Sequence, residues 1–171
     1  REVRRVTKDW EHPKNTQGSH IPLLGINFSK LATEWDEEAT QWEKGFHRSF
    51  ASDEWEPKTA DMTGTFADWD GERPDEKDYM PDWQDAERTH YQMYESTTEG
   101  TPISPVMESP EALARWLADN NASAGPFATA TYDQWLSMIH AGSSVGSFVI
   151  NSGTGESMSG VEAVSGLAGN R

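Results

Sequence analysis

The chain has 171 residues and no cysteine, and it carries 29 Asp and Glu against 14 Lys and Arg, a formal charge of −15. These totals exclude a disulfide framework, a thiolate nucleophile and cysteine-based zinc or iron–sulfur sites. A field of that sign also repels nucleic acid and anionic lipid, so direct binding to either is not expected.

Apolar residues make up only 35% and mean hydropathy is −0.79, yet eight Trp, six Phe and four Tyr stand in for the scarce aliphatics. A fully buried ring stabilises by roughly 1.5–3 kcal/mol, so a core built on aromatics can be small and still hold. The length suits a single small α+β domain, read as two parts of one cooperative unit. Residues 1–88 would form an N-terminal arm, an amphipathic helix and an acidic aromatic belt, and residues 89–171 a compact strand–helix–helix–strand module. No segment approaches the roughly 20 apolar residues of a membrane span, and Arg1 to Val6 has no signal-peptide core. The expected setting is therefore intracellular, where the sequons at Asn27 and Asn121 imply no glycan.

Residues 1–27, with His12-Pro13, Gly18 and Ile21-Pro22 and no sustained period, predict an irregular arm with a basic tip. Phe28, Leu31, Trp35, Ala39, Trp42, Phe46 and Phe50 recur at steps of three or four, predicting one helix over 28–50 with Asn27 or Ser29 as its cap. Residues 51–88 are acidic and broken by Pro57, Pro74 and Pro81. Their spaced rings predict an ordered belt in which Thr65 to Asp68 caps a short helical turn. His90 to Tyr94 suits a strand ended by Glu99-Gly100. Ser109-Pro110-Glu111 opens a helix with Leu113, Trp116 and Leu117 inward. Thr131 to Gln134 is a capping box for a second helix that stops at Gly142. Val145 to Ile150 and Met158 to Val164, joined through Asn151-Ser152-Gly153, suggest a terminal hairpin, or one strand plus a tail.

Candidate chemistry is sparse. Gly142-Ser143-Ser144-Val145-Gly146 has the spacing of a nucleophile elbow, but it leaves a helix and enters a strand, the reverse of what that elbow needs. Asp68-Trp69-Asp70-Gly71-Glu72 hints at a calcium loop, yet aligning Gly71 on the loop glycine puts Phe66 and Lys77 where carboxylates are required. His12, His20, His47, His90 and His140 are scattered without a ligand spacing. Gly153 and Gly155 lack the third glycine and the lysine of a phosphate cradle. No metal, cofactor or catalytic residue is assigned, and an enzyme is not expected.

Two stretches carry a resemblance. His90 to Val106, containing Glu-Gly-Thr-Pro-Ile-Ser-Pro, is followed by Ser109 to Asn121 and Thr131 to Leu136; with the opening Arg1 to Val6 and Asp9 to Pro13, it resembles a family of uncharacterised bacteriophage and prophage proteins. In other members a similar C-terminal module follows Cys-rich, zinc-ribbon-like segments, which this cysteine-free chain lacks. The resemblance implies a phage setting, in the host cytoplasm or the virion, and no reaction.

The concentration of charge and rings in residues 61–99 makes an interaction protein the leading expectation. Trp55, Trp69, Asp70, Tyr79, Trp83, Tyr91 and Tyr94 would form a face for a basic protein partner, nucleic-acid mimicry being one form of this. The rival expectations are a nucleotide-type ligand module that stacks on Trp and Tyr, and a minor virion or assembly component.

Overall fold

The computed structural model describes residues 1–95, 100–125, 128–142, 148–150, 157–159 and 161, and the architecture is α+β. Residues 1–23 and 83–171 form one compact unit and residues 24–82 another. This division differs from a break at 88/89, because the arm joins the C-terminal module and the acidic belt joins the helix before it. The first is called here the sheet unit and the second the acidic unit.

In the sheet unit, β4 (His90–Glu95) lies between β1 (Glu2–Val6) and β5 (Thr101–Pro102), antiparallel to both. The arm is thus irregular only after Val6: it begins as a strand, with Glu2 opposite Tyr94 and Val6 opposite His90. Its buried positions include Arg4, only 8% exposed, which hides the strand's alternation from any hydropathy reading. That charge is tolerated because Arg4 donates to the Leu23 carbonyl at 2.8 Å and to Glu2 at 3.1 Å, and its guanidinium lies 4.4 Å from the Tyr94 ring centroid.

Two capped helices cover this sheet. In α3 (Pro110–Asp119) the Ser109 side chain accepts from the Ala112 N–H, with proline in the first turn. In α4 (Tyr132–Ala141) Thr131 and Gln134 cap each other's backbone and Gly142 ends the helix at φ +85°. Leu113, Ala114 and Leu117 from α3 pack with Trp135, Met138 and Ile139 from α4 against Met93 of β4 and Val161. β6 (Phe148–Ile150) and β7 (Ser157–Ser159) pair antiparallel, as the terminal hairpin reading required. Residues 143–147, 151–156 and 162–171, and with them Ser144, Gly153 and Gly155, lie outside the described residues.

The acidic unit starts from α1 (Phe28–Glu43). Asn27 precedes it without a side-chain cap, and Asp82 does the work instead, accepting from the Ser29 N–H at 2.9 Å and from the Ser29 hydroxyl. The helix is shorter than 28–50. Gly45 at φ +91° follows Lys44, and the chain leaves as β2 (Phe46–Arg48), which pairs antiparallel with β3 (Trp55–Pro57). Phe46 and Phe50 therefore do not extend the buried stripe.

Trp42, 3% exposed, anchors this unit. Its indole donates to the Gly64 carbonyl at 2.9 Å and its ring meets Phe66 at 5.8 Å and Trp69 at 5.4 Å. Both partners sit on α2 (Phe66–Asp70), opened by the Thr65–Asp68 capping box. Asp68 is therefore committed to a helix cap and not to a cation. Arg73 grips Asp36 through two 2.8 Å bonds, and Trp35 donates to the Gly71 carbonyl, tying the segment after α2 back onto α1. Among the described residues no helix of either unit is long and apolar enough to cross a membrane.

Candidate functional site

Charge and exposed rings coincide in the acidic unit. It holds six Lys and Arg against sixteen Asp and Glu, a formal −10, whereas the sheet unit holds eight against thirteen, a formal −5. Among the described residues the exposed Phe and Trp side chains are Phe46, Phe50, Trp55 and Trp69, all four in the acidic unit.

The hairpin β2–β3 explains how a bare phenyl is displayed. Ser49 donates to the Glu54 carbonyl and Asp53 to the Ser49 carbonyl, and Asp53 itself adopts φ +61°. Arg48 then clamps the Asp53 carboxylate with contacts of 2.7 and 3.1 Å, closing the loop across its base. Phe50 stands on that loop with no cover at all, at 109% relative exposure. A loop organised this tightly around an exposed aromatic is what a contact surface requires.

Beside it lies a groove of about 430 Å³, lined among others by Glu38, Arg48, Phe50, Asp53, Trp69 and Asp70. Three carboxylates face one guanidinium here, and Asp70 has no ion-pair partner among the described residues. Burial pushes the Glu38 carboxyl above its ordinary value; Arg48, 3.6 Å away, pulls it down, and Asp70 and Glu34 add to the rise. A further cation in the groove would relieve that repulsion. Trp69 presents one face to Trp42 and remains 49% exposed, so its indole is both anchored and available.

Comparison of the chain with protein-family models, with curated proteins and with solved structures gave no match.

The seven residues expected to form one face are divided. Trp69 and Asp70 share the groove, and Trp55 stands on its hairpin 5.9 Å from the Arg48 guanidinium. Tyr79 is half-buried against Phe28 in the same unit. Trp83, Tyr91 and Tyr94 belong to the sheet unit. Trp83 packs edge-on to Trp10 at 4.8 Å, Tyr91 packs against the core, and Tyr94 is fully buried and unable to meet a partner. Sequence reading missed Phe46 and Phe50 by carrying the helical stripe past Gly45. The pair Lys44-Gly45 is the stop signal that would have released them.

Tyr94 has an internal role. Its hydroxyl accepts from the Trp10 indole N–H at 3.1 Å, lies 3.1 Å from His12 Nδ1 and donates to Gln92 Oε1 at 2.9 Å. Burial pushes its pKa up to about 12, so the phenol keeps its proton. Burial also holds His12 below the ordinary histidine value, against the bond to the Ile21 carbonyl and with help from His20 and Arg4. His12 is thus a hydrogen-bonded structural histidine. No group of three or more His, Asp and Glu that could hold a metal occurs among the described residues.

Proposed function

We propose that this chain is a phage-encoded acidic interaction protein whose residues 46–55 and 66–70 dock a basic surface of a host or phage protein and so block or modulate it. The observation that carries this reading is the coincidence, in one unit, of the charge surplus and of all four exposed Phe and Trp side chains among the described residues. Aromatic side chains supply most of the energy at protein contacts, and complementary charge supplies speed and choice of partner. The phage setting rests on the resemblance of the 90–136 motifs. Mimicry of nucleic acid is the form in which the partner's basic surface is a nucleic-acid site.

The test is affinity capture from infected host lysate with the full chain and with a Phe50→Ala/Trp69→Ala double variant, each at low and high salt. A partner that is held by the unaltered chain, released by salt and not held by the double variant supports the proposal. Capture indifferent to both changes contradicts it. Competition of the captured complex by duplex DNA distinguishes mimicry from other docking.

A further inference from the structure

The polar chain behind the arm of the sheet unit is one proton short. Gln92 donates its amide N–H to the Ser104 carbonyl at 2.9 Å, which turns Oε1 toward the Tyr94 hydroxyl. His12 Nε2 lies 2.6 Å from the Ile21 carbonyl, an acceptor only, so neutral His12 carries its hydrogen there and offers Nδ1 as a lone pair. Tyr94 has a single hydroxyl hydrogen for two acceptors, His12 Nδ1 and Gln92 Oε1, while its oxygen is already served by Trp10. One acceptor is left over.

Both candidates for that surplus acceptor, His12 and Gln92, line a cleft of about 840 Å³ in the same unit, within the size range of small-ligand sites. Rigid rings also line the cleft: the indoles of Trp10 and Trp116 and the pyrrolidines of Pro13, Pro102 and Pro105. Trp10 is fixed in advance by its N–H bond to Tyr94 and by edge contacts with Trp83 and His12. Glu11 and Lys14 at the cleft cancel in charge, and burial together with Lys14 holds His20 toward its neutral form. Nothing here selects for a charged ligand.

We propose that this cleft binds an uncharged nucleobase-type ring, which lies against the indole and proline faces and gives an N–H to Gln92 Oε1, whose second lone pair is left over beside the one facing Tyr94. The site is independent of the docking surface of the acidic unit, and loss of either leaves the other standing.

The probes are the four common nucleosides, titrated into the full chain and followed through the indole N–H resonances of Trp10 and Trp116 and by calorimetry. Ribose serves as the ringless control. Binding of at least one nucleoside should move both resonances, and ribose should move neither. Full methylation of the donor in the tightest binder, the exocyclic amine dimethylated in adenosine, cytidine or guanosine or N3 methylated in uridine, should weaken it by about 10-fold or more, since a donor-seeking site rejects an analogue without the donor. Trp116→Ala should weaken it by about 10-fold through lost stacking. The proposal is overturned if no nucleoside moves these resonances at millimolar concentration, which would leave a cleft filled by water. It is equally overturned if the methylated analogue binds as well as its parent or if Trp116→Ala leaves binding unchanged.

Discussion

The two units use aromatic side chains in opposite ways. In the sheet unit the rings turn inward: Trp135 and Tyr94 are fully buried, and Trp10, Trp83 and Tyr91 are half-buried against neighbours. In the acidic unit Trp42 and Phe66 are buried, while Phe46, Phe50, Trp55 and Trp69 remain open. Aliphatic and helical packing holds the first, so its rings are free to organise polar groups. The second relies on a few rings, caps and Arg–carboxylate clamps, and keeps surface to spare.

Core truncations should have the largest effects. Trp135→Ala removes the largest side chain of the helix–sheet core, at 0% exposure, and should cost about 3–5 kcal/mol, read as lost hydrogen-exchange protection in β4, α3 and α4. Trp42→Ala should cost about 3 kcal/mol and act on 24–82, because it removes the partner of Phe66, Trp69 and Gly64 together. If either change lowers protection equally in both units, they are not energetically distinct. Gly100→Ala comes next, at about 2 kcal/mol: Gly100 has φ +61°, and a Cβ there would stand 2.4 Å from the Leu23 carbonyl oxygen. Urea unfolding followed in the sheet unit measures it.

Acid should separate the units. His12 and His20 are both held below the ordinary value of 6.5, chiefly by burial. Below that value the unfolded chain takes up protons that the fold resists, so the sheet unit should lose stability as pH falls from neutral through 6.5 toward the folded-state values. In the acidic unit Asp36, Asp61, Asp68 and Asp75 are held below 3.8 by hydrogen bonds, from Arg73, Thr59, Thr65 and Lys77 first in each case. Their contribution persists above 3.8 and is lost only as pH falls through the lowered values; Glu38, pushed up, works in the other direction. Exchange protection measured from pH 7 downward should therefore fail first in the sheet unit, and His12→Gln should shrink that early loss. The smallest effect on folding should come from Phe50→Ala and Trp69→Ala, within about 0.5 and 1 kcal/mol respectively by thermal unfolding, since both side chains are exposed.

Much of the fold was legible because local chemistry announces it. Ser109-Pro110, Thr131 to Gln134 and Thr65 to Asp68 each cap the helix they predict, and His90 to Tyr94 is the central strand. β1 was not legible, because a strand whose buried positions include arginine has no hydropathy alternation; the Tyr94 ring, the Leu23 carbonyl and Glu2 make that burial tolerable. The candidate site was half legible. Trp69, Asp70 and Trp55 emerged from composition, but exposure of Phe50 depends on a clamp between Arg48 and Asp53 across a loop, which no periodicity encodes. Tyr94 was misplaced for the same kind of reason: an alternating strand reads the same whichever face the rest of the chain covers.

The open rings of the acidic unit are proposed as a docking surface. The most direct measurement is hydrogen–deuterium exchange of the full chain with and without the partner it captures. New protection confined to 46–55 and 66–70, with the sheet unit unchanged, is the predicted footprint. Protection that appears in β1, β4 and α3 and spares the hairpin would contradict it.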